Sequence, residues 1–357
     1  MNERIAKIRT SDRISFKRCR RRWGFSSSLK MNRQEDEART PLWLGTGFHF
    51  AMEDYHGYNK YSHPSGAFKA YCEATRKAPS KRYPEDWKDG AELAIGMLDY
   101  YVEWLQTRNP LQTFWYNGKP QVEVRFEIPL PLPEELLRKY GWDAAVYQGT
   151  LDRVCIDEHD RLWILDFKTA KQFSITHLDT DPQVSAYTWA GTVLYPNKPI
   201  AGMIYQQHKK VVPTGPEFLS SSKRFSTAKL QATTHRLYKK ALDNLYGQAK
   251  NAPAGNIEFL NYLASIEGPD EDPLIRRDWE YRNITQLEAE GEKILMEVAD
   301  MLNPDLSMYP NPTRDCSWDC FGKAACIMMD DGSDWESELM TSTISRDDED
   351  DNWRNYL

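Results

Sequence analysis

Residues 147–169, YQGTLDRVCIDEHDRLWILDFKT, read as two strands joined by a polar turn. Segments 146–156 and 161–167 are rich in β-branched and aromatic residues, and Asp157-Glu158-His159-Asp160 supplies turn chemistry. Folding this hairpin about His159 sets Leu162 opposite Ile156, Ile164 opposite Val154 and Asp166 opposite Asp152. Because side chains alternate across a strand, Asp152, Val154, Ile156, Leu162, Ile164, Asp166 and Lys168 share one face. Cys155, Trp163, Leu165 and Phe167 fall on the other. Both faces are apolar, which marks a hairpin buried on two sides. Two carboxylates directly across a strand pair sit roughly 5 Å apart and repel. Buried acids in that arrangement share a proton or a cation. With Lys168 they form the set that metal-assisted phosphodiester hydrolysis needs: oxygen ligands for Mg²⁺ or Mn²⁺ and a cation near the attacked phosphate. The structural alternative is a buried Asp–Lys ion pair that closes the sheet.

Three other segments bear on that choice. Residues 41–60 carry a helical apolar period with His49 and Glu53 one turn apart. A histidine alone on such a helix is more often structural, and His56 lies off its face. Residues 121–128 alternate polar and apolar and predict a strand; Glu123 is placed to reach the metal site, although a strand Glu is more often solvated or salt-bridged. Asp181-Pro182-Gln183 opens a helix, Pro182 in its first turn, with Gln183 and Tyr187 on one face. A further strand is expected at 201–208 and helices at 65–76, 85–106, 227–250 and 286–302.

Gly149-Thr150-Leu151-Asp152-Arg153 followed by Leu165-Asp166-Phe167-Lys168-Thr169 resembles the core of the PD-(D/E)XK nuclease superfamily. Gly45-Thr46-Gly47-Phe48-His49 ahead of it and Gln183-x₃-Tyr187 after it resemble motifs of its RecB-like exonucleases. The resemblance implies an α/β fold: a restriction-endonuclease-like core in αβββαβ order, its central mixed β-sheet flanked by helices, with helical insertions. It implies catalytic roles for Asp152, Asp166, Lys168, Gln183 and Tyr187. It also implies a Mg²⁺ or Mn²⁺ site formed by His49, Asp152, Asp166 and the carbonyl of Phe167. Imidazole accepts Mn²⁺ more readily than Mg²⁺.

The six cysteines give a second handle. Cys72 and Cys155 read as packing thiols, whereas Cys316-x₃-Cys320-x₅-Cys326 is a tight cluster that suggests a metal. Three thiols are one short of a tetrahedral set, and Cys19 is available as the fourth. One Cys before the core and three after it resembles the iron–sulfur RecB-like nucleases of the CRISPR-associated and AddB-like type. There a [4Fe–4S] cluster ties the chain ends together; structural Zn²⁺ remains the alternative, because the family's first spacing is Cys-x₂-Cys.

Composition sets the limits. The chain has 357 residues and a formal charge of −7. Residues 328–357 carry ten acids and two arginines, so the remainder is close to neutral. Arg18, Arg20, Arg21, Arg22 and Trp23 form a basic, aromatic cluster suited to DNA. No ~18-residue apolar run is present, nor a signal-peptide core, nor a Walker A or dinucleotide glycine motif. The organisation expected is a basic segment 1–40, a helical region 41–120, the nuclease core 121–210, a helical region 211–327 with the Cys triad, and a disordered acidic tail 328–357. The function expected is a cytosolic, metal-dependent DNA exonuclease of bacterial or phage recombination, repair or replication, acting on single strands or free ends beside a recombination or replication partner. A catalytically idle DNA-binding scaffold is the alternative.

Overall fold

The computed structural model describes residues 3–35, 40–77, 86–108, 111–345 and 353–357. Its sheet contains β1 (Ile5–Ile8), β2 (Val122–Pro129), β3 (Ala144–Ile156), β4 (Leu162–Ala170), β5 (Ile200–Lys209) and β6 (Ile275–Tyr281), with a short strand Gln112–Thr113 at its margin. The path runs β1-β3-β4-β5-β6, and β2 lies along the opposite edge of β3. The hairpin register is the expected one: Ile156 faces Leu162, Val154 faces Ile164 and Arg153 faces Leu165. The last two strands differ in sense. The β4–β5 pair is parallel, linked by helix α6 (Pro182–Leu194) as a βαβ unit requires, and β6 returns antiparallel. Sheet and helices together make a mixed α/β fold of the PD-(D/E)XK type.

Alternation along the hairpin divides the interior into two layers. Cys155, Trp163, Leu165 and Phe167 pack against helices α3 (Thr40–His56), α4 (Pro64–Lys77) and α5 (Trp87–Leu105). Val154, Leu162 and Ile164 pack on the other face with α6 and α9 (Ile284–Leu302). A third apolar cluster joins α7 (His235–Tyr246) to α8 (Ala254–Ile266).

Several expectations need correction. The basic segment 1–40 is not separate from the core, since β1 pairs in parallel with residues 144–147. It continues into α1 (Thr10–Arg18) and α2 (Arg20–Ser26). The helix expected at 227–250 begins only at His235, because the Thr234 hydroxyl accepts the Leu237 N–H and caps it there. The connector after residue 129 holds a short helix, Glu134–Lys139. The acidic tail is ordered wherever it is described. Helices α10 (Lys323–Asp331) and α11 (Trp335–Ser342) precede a strand, Thr343–Ser345, that pairs with Arg33–Glu35. Trp353 is buried between Phe50 and Tyr71. The acid-rich run 346–351 lies outside the described residues.

The two ends of the chain are tied by charge. Arg13, fully buried on α1, donates to Glu290 at 2.8 Å and Glu297 at 2.6 Å on α9. Arg18 and Arg22 both reach Asp319, at 2.6 and 3.2 Å, and Arg21 reaches Asp330 at 2.8 Å.

Candidate metal centre and active site

The site forms where β3 changes face. Ala145, Tyr147 and Leu151 point into the layer beside α6, and so does Val154. The inward parity therefore shifts by one residue between Leu151 and Val154, at Asp152 and Arg153. Across from them on β2, Val122 pairs with Arg153 and Val124 with Leu151, but Glu123 has left-handed backbone, φ 45°, and stands outside the ladder. Left-handed backbone is uncommon for any residue but glycine and marks a site held by its surroundings. This distortion turns the Glu123 carboxylate toward Asp152.

Helix α3 brings the third group. Gly47 lets α3 settle on α4, because a Cβ there would lie 2.6 Å from the Phe68 ring. Two residues on, His49 Nδ1 lies 3.3 Å from Asp152 Oδ2 and 3.6 Å from Glu123 Oε1. The three ligand atoms lie within 4.8 Å of one another. Asp152 is fixed from the other side by the Phe167 N–H, 2.8 Å from Oδ2. Asp166 is 2 % exposed, accepts from Gln183 Nε2 at 3.1 Å, and holds the Lys168 ammonium 2.7 Å from Oδ2. Gln183 is placed by Asp181, whose carboxylate caps α6 on the Gln183 N–H.

The electrostatics describe a pocket short of positive charge. Burial pushes the Asp166 carboxyl up to about 6, despite Lys168. Burial alone would raise Asp152 too, but His49 pulls it below its ordinary value. Burial also raises Glu123. His49, which burial would lower, is pushed up to about 10 by Asp152 and Glu123. Lys168 is held well above its ordinary value, Asp166 and Asp152 overcoming the cost of its burial. Tyr187 keeps its proton because burial, then the charge of Asp166, raises it. One buried and two half-buried acids facing an imidazole and an ammonium make a donor set that fits a hard divalent cation: oxygen ligands with one borderline nitrogen. A cation bound there would take the place of the imidazole proton, which would be released to solvent.

The structure thus brings together His49, Asp152, Asp166, Lys168, Gln183 and Tyr187. Glu123, for which the sequence favours a solvated strand acid over a metal ligand, joins them. Glu53 instead pairs with Arg354 at 2.6 Å, and His56 is buried and stacked on the Phe167 ring. The ring of Phe167 packs against His49 and His208 as well.

The basic cluster is placed otherwise than expected. Trp23 has no exposed surface and offers no face to a base. Arg18, Arg21 and Arg22 are occupied by acids, and Arg20 lies over the rings of Phe16 and Tyr309. These arginines surround the cysteines. Arg21 Nη1 donates to Cys326 Sγ at 3.3 Å. The Asn311 N–H reaches Cys19 Sγ and the Thr313 N–H reaches Cys316 Sγ, both at 3.4 Å. Burial raises the Cys320 thiol, and Cys316 and Cys19 lie near enough to add to that shift. Cys72 and Cys155 are buried elsewhere.

A family profile for the PD-(D/E)XK nuclease superfamily matches residues 13–326 of this chain. None of the curated proteins matches it. No helix among the described residues is long and apolar enough to cross a membrane.

Proposed function

Since the chain belongs to the PD-(D/E)XK nuclease superfamily, we propose that it is a divalent-metal-dependent DNA exonuclease, with Asp152, Asp166, Glu123 and His49 as the metal-binding shell. The carbonyl of Phe167 is a further ligand in this reading. The observation that carries it is the convergence of Glu123 and Asp152 on His49, beside the buried Asp166 and its Lys168 ammonium. A bound Mg²⁺ or Mn²⁺ polarises the phosphate and makes a water more acidic. The chain's own groups do the rest. Phe167 N–H and Gln183 fix the carboxylates of Asp152 and Asp166 in place. Lys168 presents ammonium protons to the charge that builds on the phosphoryl oxygens. Tyr187, kept protonated, donates a hydrogen bond to the strand. Water adds to phosphorus, the P–O bond to the leaving sugar oxygen breaks, and that oxygen takes up a proton.

The second element of the proposal is a structural metal group on Cys19, Cys316, Cys320 and Cys326. Cys19 and Cys316 lie close enough to Cys320 to raise its thiol, which supports a shared metal group: a [4Fe–4S] cluster in this reading, with structural Zn²⁺ as the alternative. Closing a loop of about 300 residues, the group fixes α1 and α2 against the C-terminal helices. Anaerobic purification with a visible spectrum tests this: a broad band near 400 nm is expected, and a colourless protein with stoichiometric zinc contradicts it.

The biological setting proposed is recombination, repair or phage replication, in the cytosol and alongside a partner protein. End-labelled single- and double-stranded DNA tests the exonuclease reading. Stepwise loss of label from one end supports it, whereas internal cuts in closed circular DNA refute it.

A further inference from the structure

β3 has a stretch of open edge. Its residues 144–147 pair with β1 and residues 153–156 with β4, both on the side away from β2. Residues 148–152 are left without a strand on that side. The sheet is therefore split, and the split ends at Asp152. It forms a cleft of about 810 Å³ running from Arg9, at the start of α1, to Gln183 and Tyr187 on α6. Gln183 in turn donates to Asp166, so the cleft ends one side chain away from that carboxylate.

Two cations line it. Arg9 is exposed at the mouth, and Arg125 is exposed on β2 opposite Thr150. Neither is held in an ion pair among the described residues. The acid beside them, Glu127, is already neutralised by Lys7 at 2.6 Å. Arg18, Arg21 and Arg22 are bound to carboxylates, as described above. A guanidinium without a partner on an open groove is the group that can exchange its counterion for a phosphate.

We propose that the DNA strand to be cut enters along this split in the sheet, its backbone phosphates held by Arg9 and Arg125, and that the Arg18–Arg22 run does not contact it. The inference rests on the nuclease reading for the identity of the ligand, but its test does not depend on cutting. A fluorescent single-stranded oligodeoxynucleotide is titrated with Lys168→Ala protein over a series of salt concentrations. The same protein carrying Arg9→Ala and Arg125→Ala is compared, with thermal melts to establish folding. The slope of log affinity against log salt should fall by about 1.4, two phosphates at about 0.7 each. Lysine at both positions should restore most of it, and Arg18→Ala with Arg22→Ala should leave it unchanged. An undiminished slope in the Arg9/Arg125 variant, or a loss confined to the Arg18/Arg22 variant, overturns the proposal. Wild-type protein that binds with the expected slope but never cuts would refute the nuclease reading while leaving this path intact.

Discussion

Two glycines on α3, two residues apart, should respond to alanine with opposite signs. At Gly45 a new Cβ meets nothing within 4 Å. Removing glycine from a helix interior is worth about 1 kcal/mol, so Gly45→Ala should stabilise the protein by about that amount. At Gly47 the same gain is opposed, since the Cβ would come within 2.6 Å of Phe68 Cε2 and closer still to Tyr71. Both rings are buried, at 0 and 2 % exposure, and have no room to withdraw. Overpacking of this kind costs about 1–3 kcal/mol, leaving a net loss of up to about 2 kcal/mol. For a chain of this size 1 kcal/mol moves the melting point by about 2 °C. Calorimetry should find Gly45→Ala about 2 °C higher and Gly47→Ala up to about 4 °C lower than wild type. Gly47→Ala should also bind Mn²⁺ more weakly, because the helix must lift and carry His49 with it. A Gly47→Ala protein stabilised as much as Gly45→Ala would refute the close seating of α3 on α4, and with it the physical basis for placing His49.

Two further predictions concern stability. Arg13→Met should cost about 3–5 kcal/mol in urea unfolding, because Glu290, 5 % exposed, is left buried without its cation; adding Glu290→Leu should recover most of the loss. Burial, reinforced by Arg277, pushes His208 down to about 3, and burial also lowers His56. The unfolded chain therefore takes up these protons first as pH falls below about 6.5. For His208 the stability is complete above that value and is lost between about 6.5 and 3, by about 1.4 kcal/mol per pH unit, and His56 acts in the same direction. Urea midpoints at pH 7.5 and pH 5 should differ accordingly, and His208→Gln should reduce the difference; an equal difference in the variant would contradict this account of His208.

The central hairpin was legible because its two faces are separately apolar and its turn is polar, so both pairing and register followed from alternation. Helix α6 could be read from Asp181 and Pro182. Glu123 was legible only as the less favoured of two readings, since its contribution depends on a left-handed residue breaking a regular strand, and period-two alternation carries no sign of it. Strand β6, IRRDWEY, hides for a related reason: its buried Arg277 finds in Gln206 a partner that only the folded sheet supplies. The arginine run and the acidic C-terminal region were each read as free, one as a DNA surface and the other as disordered. Arg21 pairs with Asp330 of that region, and Arg18 and Arg22 with Asp319 just ahead of it, across about 300 residues of sequence, pairings that no local pattern encodes.

The most direct measurement is degradation of end-labelled DNA with Mg²⁺ or Mn²⁺ by wild type, Asp166→Ala and Lys168→Ala protein. The account predicts metal-dependent cutting by wild type, abolished in both variants while each still binds DNA. Wild type that binds DNA and never cuts it, or cutting that survives loss of Asp166 and Lys168, would contradict the assignment of this site as the catalytic centre.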